Sequence, residues 1–269
     1  MKTSTLALSS FSVLACSMDW SLARENSAGA GGSVDPGLMS AALLCDRIPP
    51  LASEPIIDGK LDSGLSLYSW IDETTSDSNA GVRADLSLAY RSDGLYFFVA
   101  VTDPTRDPAP LDALAYCGDG VELYVDDDGT IRSPPAYDRP GTMQFVVAAP
   151  SSETAAVRRG QRFVSPGSGD GVDLGAWAST RFTAAPTPSG YAVEAFIVSN
   201  DLDLPSWALA SGAEIGWNLS LNIGGPEEPG LDVCTTRTRQ VHFRFANSGT
   251  CTAPYCNASA LCATALQSP

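Results

Sequence analysis

Alternation of apolar and polar residues is the main pattern between residues 49 and 248. Residues 84–90 alternate in this way, Ser92-Asp93-Gly94 is typical of a turn, and 95–101 is strongly apolar, which together predict a β-hairpin. Further strands are predicted at 121–126, 142–148, 180–184, 191–198, 215–223 and 240–246. Apart from the amino-terminal apolar run, no segment carries a helical apolar stripe of useful length. The pattern therefore predicts an all-β fold, an antiparallel β-sandwich of the immunoglobulin or jelly-roll kind, with two packed sheets of about eight to ten strands.

The same alternation divides the side chains of these strands between two faces. Val121, Leu123 and Val125 are expected to point to the core, and the residues between them away from it. The outward set is rich in amides and charged groups and consists of Glu122, Tyr124, Gln144, Asn218, Ser220, Asn222, His242 and Arg244. Such groups suit sugar hydroxyls, but an ordinary solvated sheet face shows the same pattern. Both interpretations stay open on the pattern alone.

Charge and composition narrow the classes of partner. The 269 residues include 16 basic and 31 acidic ones, and the net charge of -15 repels nucleic-acid phosphates and anionic lipid headgroups. We therefore expect no nucleic-acid partner. The 24 glycines and 19 prolines supply the turns that a loop-rich β protein needs.

The amino-terminal residues indicate export. Lys2 precedes a short apolar run, residues 6–15, which is too short to span a bilayer but suits the core of an export signal. Two interpretations stay open, a lipoprotein signal in which Cys16 is lipidated and a cleaved signal that ends near residue 23. We expect an extracellular or outer cell-surface protein that meets a membrane only through such a lipid anchor.

Composition also predicts the organisation of the chain. The run Ser-Ala-Gly-Ala-Gly-Gly-Ser at 27–33 cannot pack and is typical of a flexible tether, and the carboxyl end is rich in cysteine. The predicted parts are an export signal at 1–23, a flexible linker at 24–48, a β-sandwich at 49–248 and a cysteine-rich tail at 249–269.

Cysteine usage agrees with an oxidising compartment. The chain has seven cysteines, and the six that remain without Cys16 are an even number that can form three disulfides. Fifteen pairings are compatible with six cysteines, and spacing does not choose among them. A zinc site is disfavoured because the spacings are irregular and His242 is the only histidine.

Catalytic arrangements find little support in the sequence. Asp119 and Glu122 could be imagined as a carboxylate pair for glycoside hydrolysis, but Asp119 lies in a predicted turn and nothing predicts an apolar pocket that raises one pKa. A serine hydrolase needs a histidine base and a nucleophile elbow, and the chain has only His242 and no Gly-x-Ser-x-Gly motif. We therefore predict that the protein is not an enzyme.

Five segments, taken in order, resemble a known family. They are PIIDGKLD at 55–62, LYFFVAVTD at 95–103, GDGVELYVD at 118–126, GYAVEAFI at 190–197 and GWNLSLN at 216–222. Together they resemble family 9 carbohydrate-binding modules, within the wider DOMON-like group, over roughly residues 50–248. The resemblance implies a β-sandwich that binds a sugar between aromatic rings and hydrogen-bonds its hydroxyls through nearby polar side chains.

Residues of this chain match parts of the family's sugar site. Tyr116 matches the first stacking aromatic, Asp119 the turn acid and Glu122 the carboxylate that faces the sugar. Asn222 matches an asparagine that the family follows with Asp, but here Ile223 comes next and the second aromatic is missing.

Two more ligand-binding candidates, a metal site and a disulfide complete the predicted site. Gln144 and Arg244 are added because they share the outward face. The resemblance implies structural calcium, and Asp58 with Asp62 are the candidate ligands because calcium takes several oxygen ligands. A disulfide from Cys117 to Cys234 at the rim of the site is a further hypothesis.

The predicted function is non-catalytic binding of a poly- or oligosaccharide. The alternative is a structural or protein-interaction envelope protein that kept the fold and lost the sugar site. A haem-binding relative is a third class, but Met143 and His242, the available axial ligands, are expected on opposite faces of the sheet.

Overall fold

A computed structural model describes eleven parts of the chain. They are residues 39–71, 82–105, 107, 117–126, 143–150, 160–163, 171–173, 179–201, 209–224, 239–243 and 261–268. In these parts the regular structure is all β apart from one 3-10 helix at Ala41–Cys45. Within them, too, no helix has the length and hydropathy needed to cross a bilayer.

Fourteen strands lie in the described residues. In chain order they are β1 (Met39–Ser40), β2 (Arg47–Ile48), β3 (Tyr68–Ile71), β4 (Arg83–Arg91), β5 (Gly94–Thr102), β6 (Gly120–Asp126), β7 (Met143–Ala148), β8 (Gly160–Phe163), β9 (Gly171–Asp173), β10 (Arg181–Thr187), β11 (Gly190–Val198), β12 (Glu214–Ile223), β13 (Arg239–His242) and β14 (Cys262–Leu266). Each of the eight predicted strands is present, including the β4–β5 hairpin across its Ser92-Asp93 turn.

The strands form two sheets. The first has the order β1-β3-β4-β5-β11-β10, and the second has the order β2-β14-β12-β6-β7-β8-β9, with β13 also paired to β12. Among the described strands, β1 with β3 and β2 with β14 pair in parallel, and the other pairs are antiparallel. The predicted all-β sandwich with mainly antiparallel pairing is therefore confirmed.

The hydrophobic core lies between the two sheets. The predicted inward residues Val121, Leu123 and Val125 are all buried in it, as are alternate residues of β5, β11 and β12. The rings of Phe97 in the first sheet and Phe145 in the second meet edge to face, with centroids 5.8 Å apart. Such contacts add to the area burial that holds the sheets together.

Both ends of the described chain belong to the sandwich. β1 and β2 lie within 24–48, and β14 lies within 249–269, so the sheets extend beyond the predicted limits of 49 and 248. Cys45 and Cys262 form a disulfide with a Cα–Cα distance of 5.2 Å, which is a usual separation for such a bond. One of the expected disulfides is thereby confirmed.

Candidate functional site

The side of the second sheet that faces away from the core carries polar side chains from three adjacent strands. We call it the second outer face, and it includes Glu122 and Tyr124 of β6, Gln144 of β7, and Asn218, Ser220 and Asn222 of β12. Strand register brings them together because Ser220 pairs with Glu122, and Tyr124 pairs with both Asn218 and Gln144. The predicted division of faces is confirmed for these six residues.

Exposure of this face differs from the solvated surface that the alternation also allowed. Glu122, Tyr124 and Asn222 are 0% exposed, and Gln144 is 5% exposed. Six polar side chains on one face are thus buried together, a situation that is costly unless they hydrogen-bond to one another. Alternation separates two faces of a strand but carries no information about what covers the outer one.

Glu122 is the centre of a hydrogen-bond network on the second outer face. Its Oε2 accepts from Nε2 of Gln144 at 2.7 Å and from the hydroxyl of Tyr124, and its Oε1 accepts from Nδ2 of Asn222 at 2.8 Å. Gln144 also donates from Nε2 to the Tyr124 hydroxyl at 3.1 Å. Hydrogen bonds to a carboxylate are among the stronger ones, so the network fixes the orientation of all four side chains.

Two acceptors on the same face are left over. Oε1 of Gln144 and Oδ1 of Asn222 are buried and have no hydrogen-bond partner in the part of the chain that the structure describes. A buried polar atom without a partner costs about 1 to 3 kcal/mol, and a ligand hydroxyl that donates to it removes the cost. The face therefore has spare capacity to accept hydrogen bonds beside a fully engaged carboxylate.

Asp119 lies at the edge of this face and joins three segments of chain. Its Oδ1 accepts from the backbone N–H of Gly224 at 2.6 Å, and its Oδ2 accepts from the backbone N–H of Asp107 at 2.5 Å. Burial, with a smaller contribution from the nearby carboxylates of Asp103 and Asp107, raises the pKa of Asp119 from 3.8 to about 7, against the opposing effect of those two amides. Asp119 therefore connects the start of β6 to the segments after β5 and β12, and its part in a sugar site stays a prediction.

The side of the first sheet that faces away from the core is different, and we call it the first outer face. It is apolar, with Tyr96, Phe98 and Phe196 packed under residues 51–67. A buried carboxylate on this face, that of Glu194, accepts at Oε2 from the backbone N–H groups of Asp58 and Gly59 at 2.8 and 2.7 Å. Oε1 accepts from the Tyr96 hydroxyl at 3.0 Å. Burial raises the pKa of Glu194, and the three donors oppose that rise.

Comparison with known proteins finds similarity in structure alone. No protein-family profile and no curated protein matches the sequence. The model is similar to two structures of a family 9 carbohydrate-binding module from Caldicellulosiruptor kristjanssonii, one in complex with cellotriose and one with glucose. The TM-scores are 0.54 and 0.53, each at 18% identity, and the alignments cover 83% of this chain and 95% and 97% of the other. This chain has the fold of a family 9 carbohydrate-binding module. Membership of the DOMON-like group stays a prediction.

Within the family 9 fold, the missing second aromatic has a local physical reason. Ile223, which stands where the family has Asp, is 8% exposed and packs in the core. A Cβ at Gly224 would lie 2.6 Å from the backbone oxygen of Asp107 and 3.1 Å from the Cα of Gly118, so no side chain fits there. The backbone of residue 224 is instead used to bind Asp119.

The two candidate calcium ligands of this chain, Asp58 and Asp62, form other contacts. Asp58 accepts from the backbone N–H of Lys60 at 3.1 Å and forms an exposed ion pair with its ammonium group, and Asp62 accepts from the backbone N–H of Ile56 at 3.2 Å. The described residues contain no group of three or more His, Cys, Asp or Glu side chains placed to hold a metal ion. Within those residues Asp58 and Asp62 do not make a calcium site by themselves, and calcium stays a prediction.

Some predicted site residues cannot be located. Tyr116, Arg244 and Cys234 lie outside the described residues, so their roles stay predictions. Cys117 is buried and disulfide-bonded, which agrees with a braced rim but does not identify Cys234 as its partner.

Two residues that matter were not among the predicted ligand-binding ones. Tyr124 was placed on the outward face, but only the structure shows that it donates to Glu122. Glu194 was missed, although a glutamate within the apolar run Gly190–Val198 is itself a sign of a partnered buried charge.

Proposed function

We propose that this protein binds carbohydrate through the second outer face and does so without catalysis. The observation that carries the proposal is the network around Glu122, with the unpartnered oxygens of Gln144 and Asn222 beside it. Sugars offer several hydroxyl donors at fixed spacing, and a carboxylate flanked by amides is suited to bind them. The shared fold with modules solved in complex with cellotriose and glucose supports the same proposal.

The absence of catalysis is part of the proposal. In a glycosidase, one carboxyl group needs to be free to give a proton to the leaving oxygen while another acts on the sugar. Both oxygens of Asp119 accept from backbone amides, and both oxygens of Glu122 accept from side chains. Both carboxyl groups are thus already held by hydrogen bonds, an arrangement that favours a positioning role over that of an acid or a nucleophile.

The proposal extends to the cellular setting, which the sequence and one structural observation support. The disulfide between Cys45 and Cys262 is typical of an oxidising compartment, and the amino-terminal residues suit export. We propose an extracellular or cell-surface module that binds an oligo- or polysaccharide. It is either secreted freely or anchored by a lipid at Cys16.

Calorimetric titration of the purified protein with glucose and cellotriose tests the proposal. In Glu122→Gln the side chain keeps its shape but loses its charge and one acceptor, so we expect binding at least about tenfold weaker, as for the loss of one good hydrogen bond. The matched control is Glu194→Gln on the first outer face, which should bind the sugar as the unchanged protein does. Equal loss in both variants would contradict the assignment of the site to the second outer face.

A second candidate function is favoured by one observation. Glu122, Asn218, Ser220 and Asn222 are each 0% exposed, as in a buried structural network. A folded protein that binds neither these sugars nor any on a glycan array would support this alternative, a structural or protein-interaction envelope protein. The polar network would then serve to specify the packing of the sheet.

A further inference from the structure

The contacts of Asp119 form a junction at one end of the second sheet. Asp119 precedes β6 and binds the backbone of residue 107, beyond the end of β5, and that of Gly224, immediately after β12. Backbone hydrogen bonds tighten the same place, since Asp119 N–H donates to the Asp107 carbonyl and Ala149 N–H donates to the Asp119 carbonyl, each at 2.8 Å. The junction is close in sequence to the proposed site, because Glu122 is three residues after Asp119 and Asn222 is two residues before Gly224.

The geometry of the junction requires a charged carboxylate. Each oxygen of Asp119 accepts from a different backbone N–H group, and these groups can only donate. A protonated Asp119 has one hydroxyl group, whose hydrogen would point at an N–H donor, so one of the two contacts is lost or weakened.

The surroundings of the junction oppose that charge. Asp119 is 0% exposed, and the titratable groups that face it from the described residues add no positive charge. Among the described residues these titratable groups are the carboxyls of Asp103 and Asp107 on the segment after β5 and the hydroxyl of Tyr191 on β11. Gly224 and Ala149, from the segments after β12 and β7, contribute no charge. The hydrogen bonds of Asp119 need its charged form, whereas its buried, acidic surroundings disfavour that form. The contacts of Asp119 are therefore expected to change with pH.

We infer that Asp119 is a pH-sensitive latch that holds the ends of β6 and β12 in place for sugar binding and releases one of them when it takes up a proton. The inference rests on the proposed function. The pKa of Asp119 near 7 places the change close to neutrality. Binding is therefore expected to weaken as pH falls, because the latch is complete only when Asp119 is ionised.

The latch has a direct readout that needs no sugar. In ¹⁵N NMR spectra of the full chain, the backbone amides of Asp107 and Gly224 should shift together with one midpoint near neutral pH, because both donate to the same carboxylate. Asp119→Asn should abolish that titration, since the side-chain amide of asparagine does not ionise. Asp103→Asn should move the midpoint to lower pH, because it removes a negative charge that raises the pKa of Asp119.

Asp93→Asn is the matched control. Asp93 lies in the turn at the opposite end of β5 from Asp103, where it pairs with Arg91 at the surface. At about 3.4 Å for each strand residue, that end is too distant for a direct effect on the junction. The Asp107 and Gly224 amides should titrate in Asp93→Asn as they do in the unchanged chain.

The binding readout uses cellotriose across the same pH range. The Kd of the unchanged chain should rise by about fivefold or more between about pH 9 and pH 5, the usual size of a coupling between two sites. Asp119→Asn should bind weakly at all pH values, and Asp93→Asn should follow the unchanged chain. A Kd that stays constant while the amides titrate would overturn the latch.

The two proposals fail in different ways. If cellotriose does not bind at any pH, the proposed function fails, and the amides alone decide whether the junction opens near neutrality. If the two amides do not titrate together over this range, the latch is overturned whatever the sugar does.

Discussion

The two outer faces of the sandwich stabilise a buried glutamate with different kinds of hydrogen-bond donor. In the part of the chain that the structure describes, each face buries a glutamate that accepts from three described donors. Glu194 on the first outer face takes two of them from the backbone of residues 58–59, whereas the described donors to Glu122 on the second are all side chains.

The difference lies in what each arrangement leaves over. Backbone amides only donate, so the set around Glu194 is used up when the carboxylate is bound. Side-chain amides bring an oxygen along with each nitrogen, and on the second outer face the oxygens of Gln144 and Asn222 are left without a described partner. The first face is therefore suited to holding its own chain, and the second to accepting hydrogen bonds from something else.

Removal of each glutamate side chain should give the largest difference in stability between the two faces. Glu194→Ala leaves two backbone amides and the Tyr96 hydroxyl without an acceptor, and we expect a loss of about 3 to 5 kcal/mol in the free energy of unfolding. Glu122→Ala should cost only about 1 to 2 kcal/mol, because the donors of Gln144 and Asn222 can turn to the spare oxygens nearby. Urea denaturation measures both, and an equal loss in the two variants would contradict the difference between the faces.

The pH dependence of stability should be the next largest effect. The pKa values of Asp103, Asp119 and Glu194 are all raised above their ordinary values, chiefly by burial. The folded state then holds more protons than the unfolded one, so the free energy of unfolding falls as pH rises from about 4 towards 7. For Asp119 the fall is at most about 4 kcal/mol, since each pKa unit corresponds to about 1.4 kcal/mol.

Urea denaturation at pH 5 and pH 8 measures this slope, and Asp119→Asn should reduce it. Sugar binding is expected to follow the opposite trend and to be better at pH 8. A protein that is more stable at pH 8 than at pH 5 would show that these three carboxyls do not determine the slope.

Substitution of two glycines in the segment that covers the first outer face should have a smaller effect on stability. Gly59 has a φ of +83°, and a Cβ there would lie 2.7 Å from the Cβ of Ala185. Gly64 has a φ of +87°, but its Cβ would meet no described atom within 4 Å. We expect Gly64→Ala to cost about 1 kcal/mol from backbone strain alone and Gly59→Ala about 2 kcal/mol. Thermal denaturation of both variants isolates the cost of crowding, and similar losses would mean that the segment has room to shift.

The interior of the sandwich was predictable because its pattern is local. In β6 and β12 the inward residues alternate strictly with the outward ones, and both strands were found where the sequence predicted them. Six of the described strands, β1, β2, β3, β8, β9 and β14, were not predicted, since each has five residues or fewer and shows little alternation of its own.

The candidate site was predictable only in part. Glu122, Gln144 and Asn222 were grouped by strand face, and the structure joins them through hydrogen bonds. Their burial was not predictable, because a polar residue on the outer face reads the same whether solvent or chain covers it. Asp119 was assigned to a turn, but its two amide partners come from positions 12 residues before it and 105 residues after it, which no local pattern reveals.

The disulfide between Cys45 and Cys262 closes a covalent ring, since its two halves are 217 residues apart in sequence. A protease that cuts one loop inside that ring opens it without separating the pieces, which stay joined through the two sulfur atoms and through the pairing of β2 with β14. A module cut once in this way would migrate at its full mass on a non-reducing gel. Its two pieces would separate only after a thiol had reduced the disulfide.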